Sequence, residues 1–121
     1  MELNKNIIFI IFILIILMSF YTKNESMKVN KSKKVIFYNF NTGWCYYSKI
    51  LQPEWNKLQK HYSNNKKIKI IDIKCEKKEN KEICKKFNVK KYPTLIKVKN
   101  GEVINYNGER KLKNFIKFIE K

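Results

Sequence analysis

The sequence predicts a small α/β domain with the element order β-α-β-α-β-β-α, set behind an N-terminal apolar helix. Three observations carry that prediction. Short apolar runs of strand type alternate with segments whose apolar residues recur at helical spacing, the pattern of strands and helices packed in layers. Near the C-terminus Asn100-Gly101 separates two β-rich runs, a dipeptide suited to the positive φ of a tight hairpin turn. One apolar run, Ile7–Phe20, stands apart from all of these, and the rest of the 121 residues leave room for one small domain.

The apolar run, "IIFIIFILIILMSF", is preceded by "MELNKN" and followed by polar "YTKNESMKVNKSKK". Its length of about 14 residues suits a signal-peptide core. No A-x-A-like site follows it. With Leu3 and Tyr21 added and Lys5 snorkelling, it reaches across a thin bilayer. Residues 1–21 are therefore read as a signal anchor or a cleaved signal peptide, and not as a core helix, since no face is polar. A polar linker follows over residues 22–33, and the α/β domain over 34–121.

Within the domain, "KVIFYNF", Lys34–Phe40, is a short strand of the buried type. After a turn at Thr42 and Gly43, Leu51, Trp55, Leu58 and Tyr62 fall at i, i+4, i+7 and i+11, one buried stripe of a helix. "IKIIDIK", Ile68–Lys74, is a second strand, and "ENKEICKKF", Glu79–Phe87, a short helix. "TLIKVKN" and "EVINY" form the hairpin around Asn100-Gly101. A last helix places Leu112, Phe115, Ile116 and Ile119 on one face.

The net charge of +17 raises nucleic-acid and anionic-membrane readings. Its distribution argues against specific nucleic-acid binding. The cations are nearly all Lys, spread along the chain, and Arg110 is the only Arg, the residue type that reads phosphate bidentately. What remains is a basic surface with a general attraction to acidic partners or lipid headgroups. The three cysteines and His61 lack paired metal-ligand spacing, so no metal is expected, and His61 is read as a surface residue late on the long helix.

"FNTGWCYYSK" resembles the strand end and active-site turn of thioredoxins, with Pro53 where that family kinks its first active-site helix. "KKFNVKKYPTL" is similar to the family's approach to its cis-proline, here Pro93, followed by Thr94. "YNGERKLKNFIKFIEK" resembles the end of a protein disulfide isomerase domain. The resemblance covers about Lys34–Lys121 and implies a minimal thioredoxin-like fold, a mixed central sheet with flanking helices. It implies Cys45 and Ser48 as the reacting positions and Trp44, Tyr46, Tyr47, Tyr92, Pro93 and Thr94 as the client-binding surface. A cysteine pair occupies places similar to Cys75 and Cys84 in several isomerase domains, which implies a structural disulfide in an oxidising compartment; two separate buried thiols are the alternative.

Four departures qualify the resemblance. Ser48 stands where the resolving cysteine belongs, leaving a CxxS motif. Asn39 replaces the buried acid that the family carries before the motif. Only about a dozen residues separate the apolar run from the first strand, so one side of the sheet is less covered. Two tyrosines, Tyr46 and Tyr47, add bulk between the motif ends.

At a helix N-terminus, Cys45 meets unpaired backbone N–H groups and the positive dipole end, which favour thiolate over thiol. Ser48, one turn on, can donate a hydrogen bond to the sulfur. With no neighbouring thiol, a mixed disulfide at Cys45 waits for a client cysteine or for glutathione as co-substrate. The expected function is thiol–disulfide exchange with cysteine-containing protein clients; the alternative is a non-catalytic polypeptide-binding module. Cys75 and Cys84 are expected away from the active-site turn. Lysines after the apolar run favour a cytoplasmic domain by charge. The resemblance and the cysteine pair favour the endoplasmic reticulum lumen or another extracytoplasmic space; the sequons at Asn24 and Asn30 add little in so Asn-rich a chain.

Overall fold

The computed structural model describes residues 4–25 and 33–121. Its strands are β1 (Val35–Asn41), β2 (Ile68–Lys74), β3 (Thr94–Lys99) and β4 (Glu102–Asn105). They form one mixed sheet in the order β2-β1-β3-β4. β1 pairs parallel with β2, Val35 opposite Ile68 through Asn41 opposite Lys74, and antiparallel with β3. β3 and β4 are a hairpin whose turn puts Asn100 and Gly101 at φ 53° and 79°, as the dipeptide predicts.

The helices of this unit are α2 (Tyr46–His61), α3 (Lys81–Lys86) and α4 (Leu112–Glu120), with a 3-10 turn at Lys78–Asn80 before α3. The helix expected over Glu79–Phe87 is thus split between that turn and a shorter α-helix. Alternation along β1 sends side chains to both faces of the sheet. Val35 and Phe37 meet Leu51, Trp55 and Leu58 of α2 and Phe115 and Ile119 of α4 in one buried cluster. Phe40 and Ile96 meet Cys75 and Cys84 on the opposite face, with Ile83, Phe87 and Val89 packed against them. That second face is covered by the short α3, as the thin N-terminal side of the domain leads one to expect. Pro53 lies inside α2, where it removes one N–H from the ladder.

A separate N-terminal unit, residues 1–31, holds helix α1 (Lys5–Glu25). Its apolar side chains from Ile7 to Phe20 are exposed, and Ser19 Oγ donates to the Ile15 carbonyl at 2.9 Å. The bilayer-spanning anchor expected here is corrected: among the described residues no helix is long and apolar enough to cross a membrane. The physical reason is length. The apolar run Ile7–Phe20 rises about 21 Å at roughly 1.5 Å per residue, against a hydrocarbon core of about 30 Å. The helix runs through Thr22–Glu25, so the expected linker begins later; its residues 26–32, with Ser26 of the first sequon and the whole of the second, lie outside the described residues.

Candidate active site

β1 ends in a turn pinned from two directions. From the end of β2, Glu76 Oε1 accepts the Gly43 N–H at 2.7 Å, and the Cys75 N–H donates to the Asn41 carbonyl at 2.8 Å. From α2, the Ser48 hydroxyl accepts the Thr42 N–H at 3.4 Å. A Cβ at position 43 would come within 3.1 Å of the Glu76 oxygen, so glycine keeps that approach open.

Cys45 follows as the N-cap residue of α2, extended at φ −79° and ψ 126°, its carbonyl accepting the Lys49 N–H at 3.1 Å. The side chain does not cap the helix; its Sγ donates toward the Tyr92 carbonyl at 3.5 Å. The Ser48 backbone N–H is the leading influence holding the Cys45 thiol below its ordinary value. Partial burial opposes it, and the Ser48 side chain, the Tyr47 N–H and the Arg110 charge add to the lowering. The helix start therefore eases ionisation of half-buried Cys45 relative to an ordinary thiol, the N-terminus acting on sulfur as it acts on any anion. Ser48 itself is only 2% exposed.

The Tyr92-Pro93 peptide is cis and stands against Cys45. Trp44 meets Tyr92 edge-on at 5.9 Å, and Tyr46 meets Tyr47 at 5.6 Å. Trp44, Tyr46 and Tyr47 are 68%, 69% and 61% exposed, an aromatic rim around the thiol. Pro93 is buried. Thr94 uses its hydroxyl to donate to the Lys91 carbonyl at 2.6 Å, which commits that side chain to the loop rather than to the open surface.

Cys75 and Cys84 are joined by a disulfide with Cα atoms 6.0 Å apart, leaving Cys45 as the free cysteine. The pair is tied to the active-site turn more closely than expected, because Cys75 and the next residue, Glu76, supply two of the bonds that hold Asn41 and Gly43. His61 lies exposed at the far end of α2, packed on Tyr62.

Beneath α2 lies a polar cluster that sequence reading missed. Asn39 Nδ2 and Asn41 Nδ2 both donate to Asp72 Oδ1, at 3.0 and 2.7 Å. Lys74 pairs with Asp72 Oδ2 at 3.2 Å and also donates to Asn41 Oδ1 and to Gln52 Oε1. The parallel register that sets Asn39 opposite Asp72 brings the acid there from β2. The single acid of "IKIIDIK", among isoleucines and two lysines, was the available signal for it. Arg110 was also missed as a site residue, though being the only Arg marked it.

The sequence model of the Thioredoxin family matches residues 17–121. Protein disulfide-isomerase 1 of Dictyostelium discoideum is 37% identical over 101 residues, covering 80% of this chain and 27% of that protein. The Thioredoxin domain-containing protein 5 homolog of Drosophila melanogaster is 36% identical over 90 residues, 72% of this chain and 21% of that one. This chain thus spans about a quarter of the length of these curated relatives. Among solved structures, the first two thioredoxin domains of Naumovozyma dairenensis Eps1p superpose with a TM-score of 0.64 at 28% identity, over 79% of this chain and 38% of that one.

Proposed function

This chain belongs to the thioredoxin family as a protein disulfide isomerase-like domain, and we propose that it exchanges disulfides with protein clients through Cys45 alone. The observation that carries the reading is a free Cys45 at the start of α2, set against the cis Tyr92-Pro93 loop, with a hydroxyl, Ser48, one turn on. The Cys45 thiolate attacks one sulfur of a client disulfide: a Cys45–client S–S bond forms, the client's own S–S bond breaks, and the departing client thiolate takes a proton from water. Ser48 cannot repeat the attack. Release needs an outside thiolate, from a second client cysteine or glutathione, which bonds the client sulfur and returns Cys45 as thiolate. The mixed disulfide is therefore a holding state.

The relatives' names also support an endoplasmic reticulum lumenal or secretory location. We read the exposed apolar helix α1 as the segment that directs the domain to, and associates it with, that membrane system. The aromatic rim favours a second reading, a binding module that holds extended polypeptide without covalent chemistry.

One experiment separates the two. Full-length chain mixed with disulfide-containing client protein should give adducts on non-reducing gels that dissolve under reductant. Cys45→Ser should abolish them, and Ser48→Cys should convert holding into turnover of client disulfides. If Cys45→Ser binds clients as well as wild type, and wild type gives no reducible adduct, the exchange reading is wrong and the binding module stands.

A further inference from the structure

A groove of about 460 Å³ opens beside Pro93, between the loop that precedes β3 and the segment that links β4 to α4. Lys90, Lys91 and Arg110 line it, with Asn105 and Asn107, and among the described residues no carboxylate does. The ion pairs found among the described residues are Lys57–Glu54 and Lys74–Asp72, so none of the three groove cations is neutralised in this way. Glu109, adjacent to Arg110 in sequence, is outside the lining. The groove starts at Pro93, one residue from the Tyr92 carbonyl that Cys45 Sγ contacts at 3.5 Å. The Arg110 charge is felt at the Cys45 sulfur as well. A segment held covalently at Cys45 would meet these three cations if it followed the groove.

Resting on the exchange reading above, we propose that this groove selects client segments carrying Asp or Glu beside the reactive cysteine. The occupant is an extended acidic stretch of polypeptide, its carboxylates at Lys90, Lys91 and Arg110 and its sulfur at Cys45. The guanidinium adds a planar fork for one carboxylate, and the two ammonium groups act as point charges. Charge on the client should act mainly on the rate of productive encounter.

The test uses full-length chain in non-ionic detergent and three peptides. Each carries one cysteine as a 2-pyridyl disulfide, flanked by Asp, by Ser or by Lys residues. The Cys45 sulfur bonds the peptide sulfur, the peptide–pyridyl S–S bond breaks, and pyridine-2-thione leaves with the thiol proton and is read by absorbance. At low salt the Asp peptide should react about tenfold faster than the Lys peptide. The gap should narrow as added salt shortens the Debye length to about 8 Å or less. Charge reversal of Lys90, Lys91 and Arg110 to Glu should invert the order. The ratio between peptides is the readout, because losing Arg110 also alters the Cys45 thiol and slows all peptides alike.

Reversing Lys66, Lys67 and Lys69 changes the net charge equally at exposed positions outside the groove and should leave the order standing. Equal rates for the three peptides on wild type would overturn the proposal. So would a remote triple variant that erases the preference as fully as the groove variant does. A non-covalent arm keeps the groove testable should exchange itself fail: fluorescence anisotropy of the Asp peptide with Ser for Cys, on Cys45→Ser protein. Binding unchanged by the groove reversal there would also overturn it.

Discussion

Restoring the family's acid at position 39 should damage this domain, not improve it. Asn39 is fully buried, and its amide donates to Asp72 Oδ1 at 3.0 Å, an oxygen that Asn41 also serves. Asn39→Asp replaces that donor by an acceptor and sets two carboxylates about 3 Å apart. At an effective dielectric of about 20 their repulsion would be roughly 5 kcal/mol, so the pair keeps one proton instead. Holding a carboxylic proton at pH 7 against an ordinary value near 4 costs about 4 kcal/mol, and that is the expected loss of stability.

The sign follows from linkage. The shared proton raises the folded-state pKa above the unfolded value, so the variant is nearly intact below about pH 4. It loses stability as pH rises towards the folded value, by about 1.4 kcal/mol per unit. Urea denaturation followed by tryptophan fluorescence, at pH 5 and 7, should show the variant's deficit growing by about 2–3 kcal/mol between them. Asn39→Ala should show a deficit of about 1–3 kcal/mol with little pH dependence. Asn39→Asp with Asp72→Asn should restore a donor–acceptor pair and remove the steep pH response. An Asn39→Asp deficit of the same size at both pH values would refute the argument.

Three further outcomes follow from the same geometry. Alkylation of Cys45 should titrate with a midpoint below the ordinary thiol value of about 8.5, and Ser48→Ala should raise it only part of the way, since the Ser48 backbone N–H remains. A midpoint at or above the ordinary value would mean that the start of α2 does not ease ionisation of Cys45. Glu76→Ala should speed amide hydrogen exchange at Gly43. In wild type the Gly43 N–H holds the Glu76 carboxyl below its usual range, so the same protection should persist above the ordinary carboxylate value and fade only as pH falls through the lowered one. Phe37→Ala empties the contact with Trp55 and Phe115, at ring distances of 5.2 and 5.8 Å, and should cost about 3–5 kcal/mol in urea denaturation. A loss under about 1 kcal/mol would mean that this face is not packed as described.

Features that depend on local spacing were legible in the sequence. Leu51, Trp55 and Leu58 of α2 and Tyr62 at its C-cap are all buried, because helical periodicity alone fixes which side chains share a face. Asn100 and Gly101 adopt positive φ because glycine has no Cβ to clash there and asparagine is among the few residues that tolerate it. The Asp72 cluster was illegible because it depends on strand register: "IKIIDIK" marks a strand, but only pairing with β1 sets the acid opposite Asn39. Lys97 shows the same limit. It is 3% exposed, yet its amine donates to the Phe118 carbonyl at 2.7 Å and sits 4.3 Å from the Phe118 ring. A long aliphatic stem reaching a polar partner at the core edge leaves no trace in hydropathy. The apolar run misled in the opposite sense, since hydropathy was evident and length decided the outcome.

On the proposed mechanism, Asn39 and Ser48 are one change in two places. A thiol at position 48 would be as enclosed as the hydroxyl there, 2% exposed, and burial raises a thiol's pKa. Such a thiol needs a nearby base before it can attack a mixed disulfide. Ser48 has no proton to lose near neutral pH, so a base serving position 48 has nothing to accept. The hydroxyl is used instead to receive the Thr42 N–H and to favour the thiolate of Cys45. Freed from that duty, position 39 carries an amide, and the acid on β2 is taken up by Asn39, Asn41 and Lys74. It follows that Ser48→Cys alone should give slow turnover whose rate climbs with pH, since the new thiol must ionise unaided. If its turnover is already fast and level at neutral pH, a base other than residue 39 serves position 48, and the coupling of the two departures is wrong.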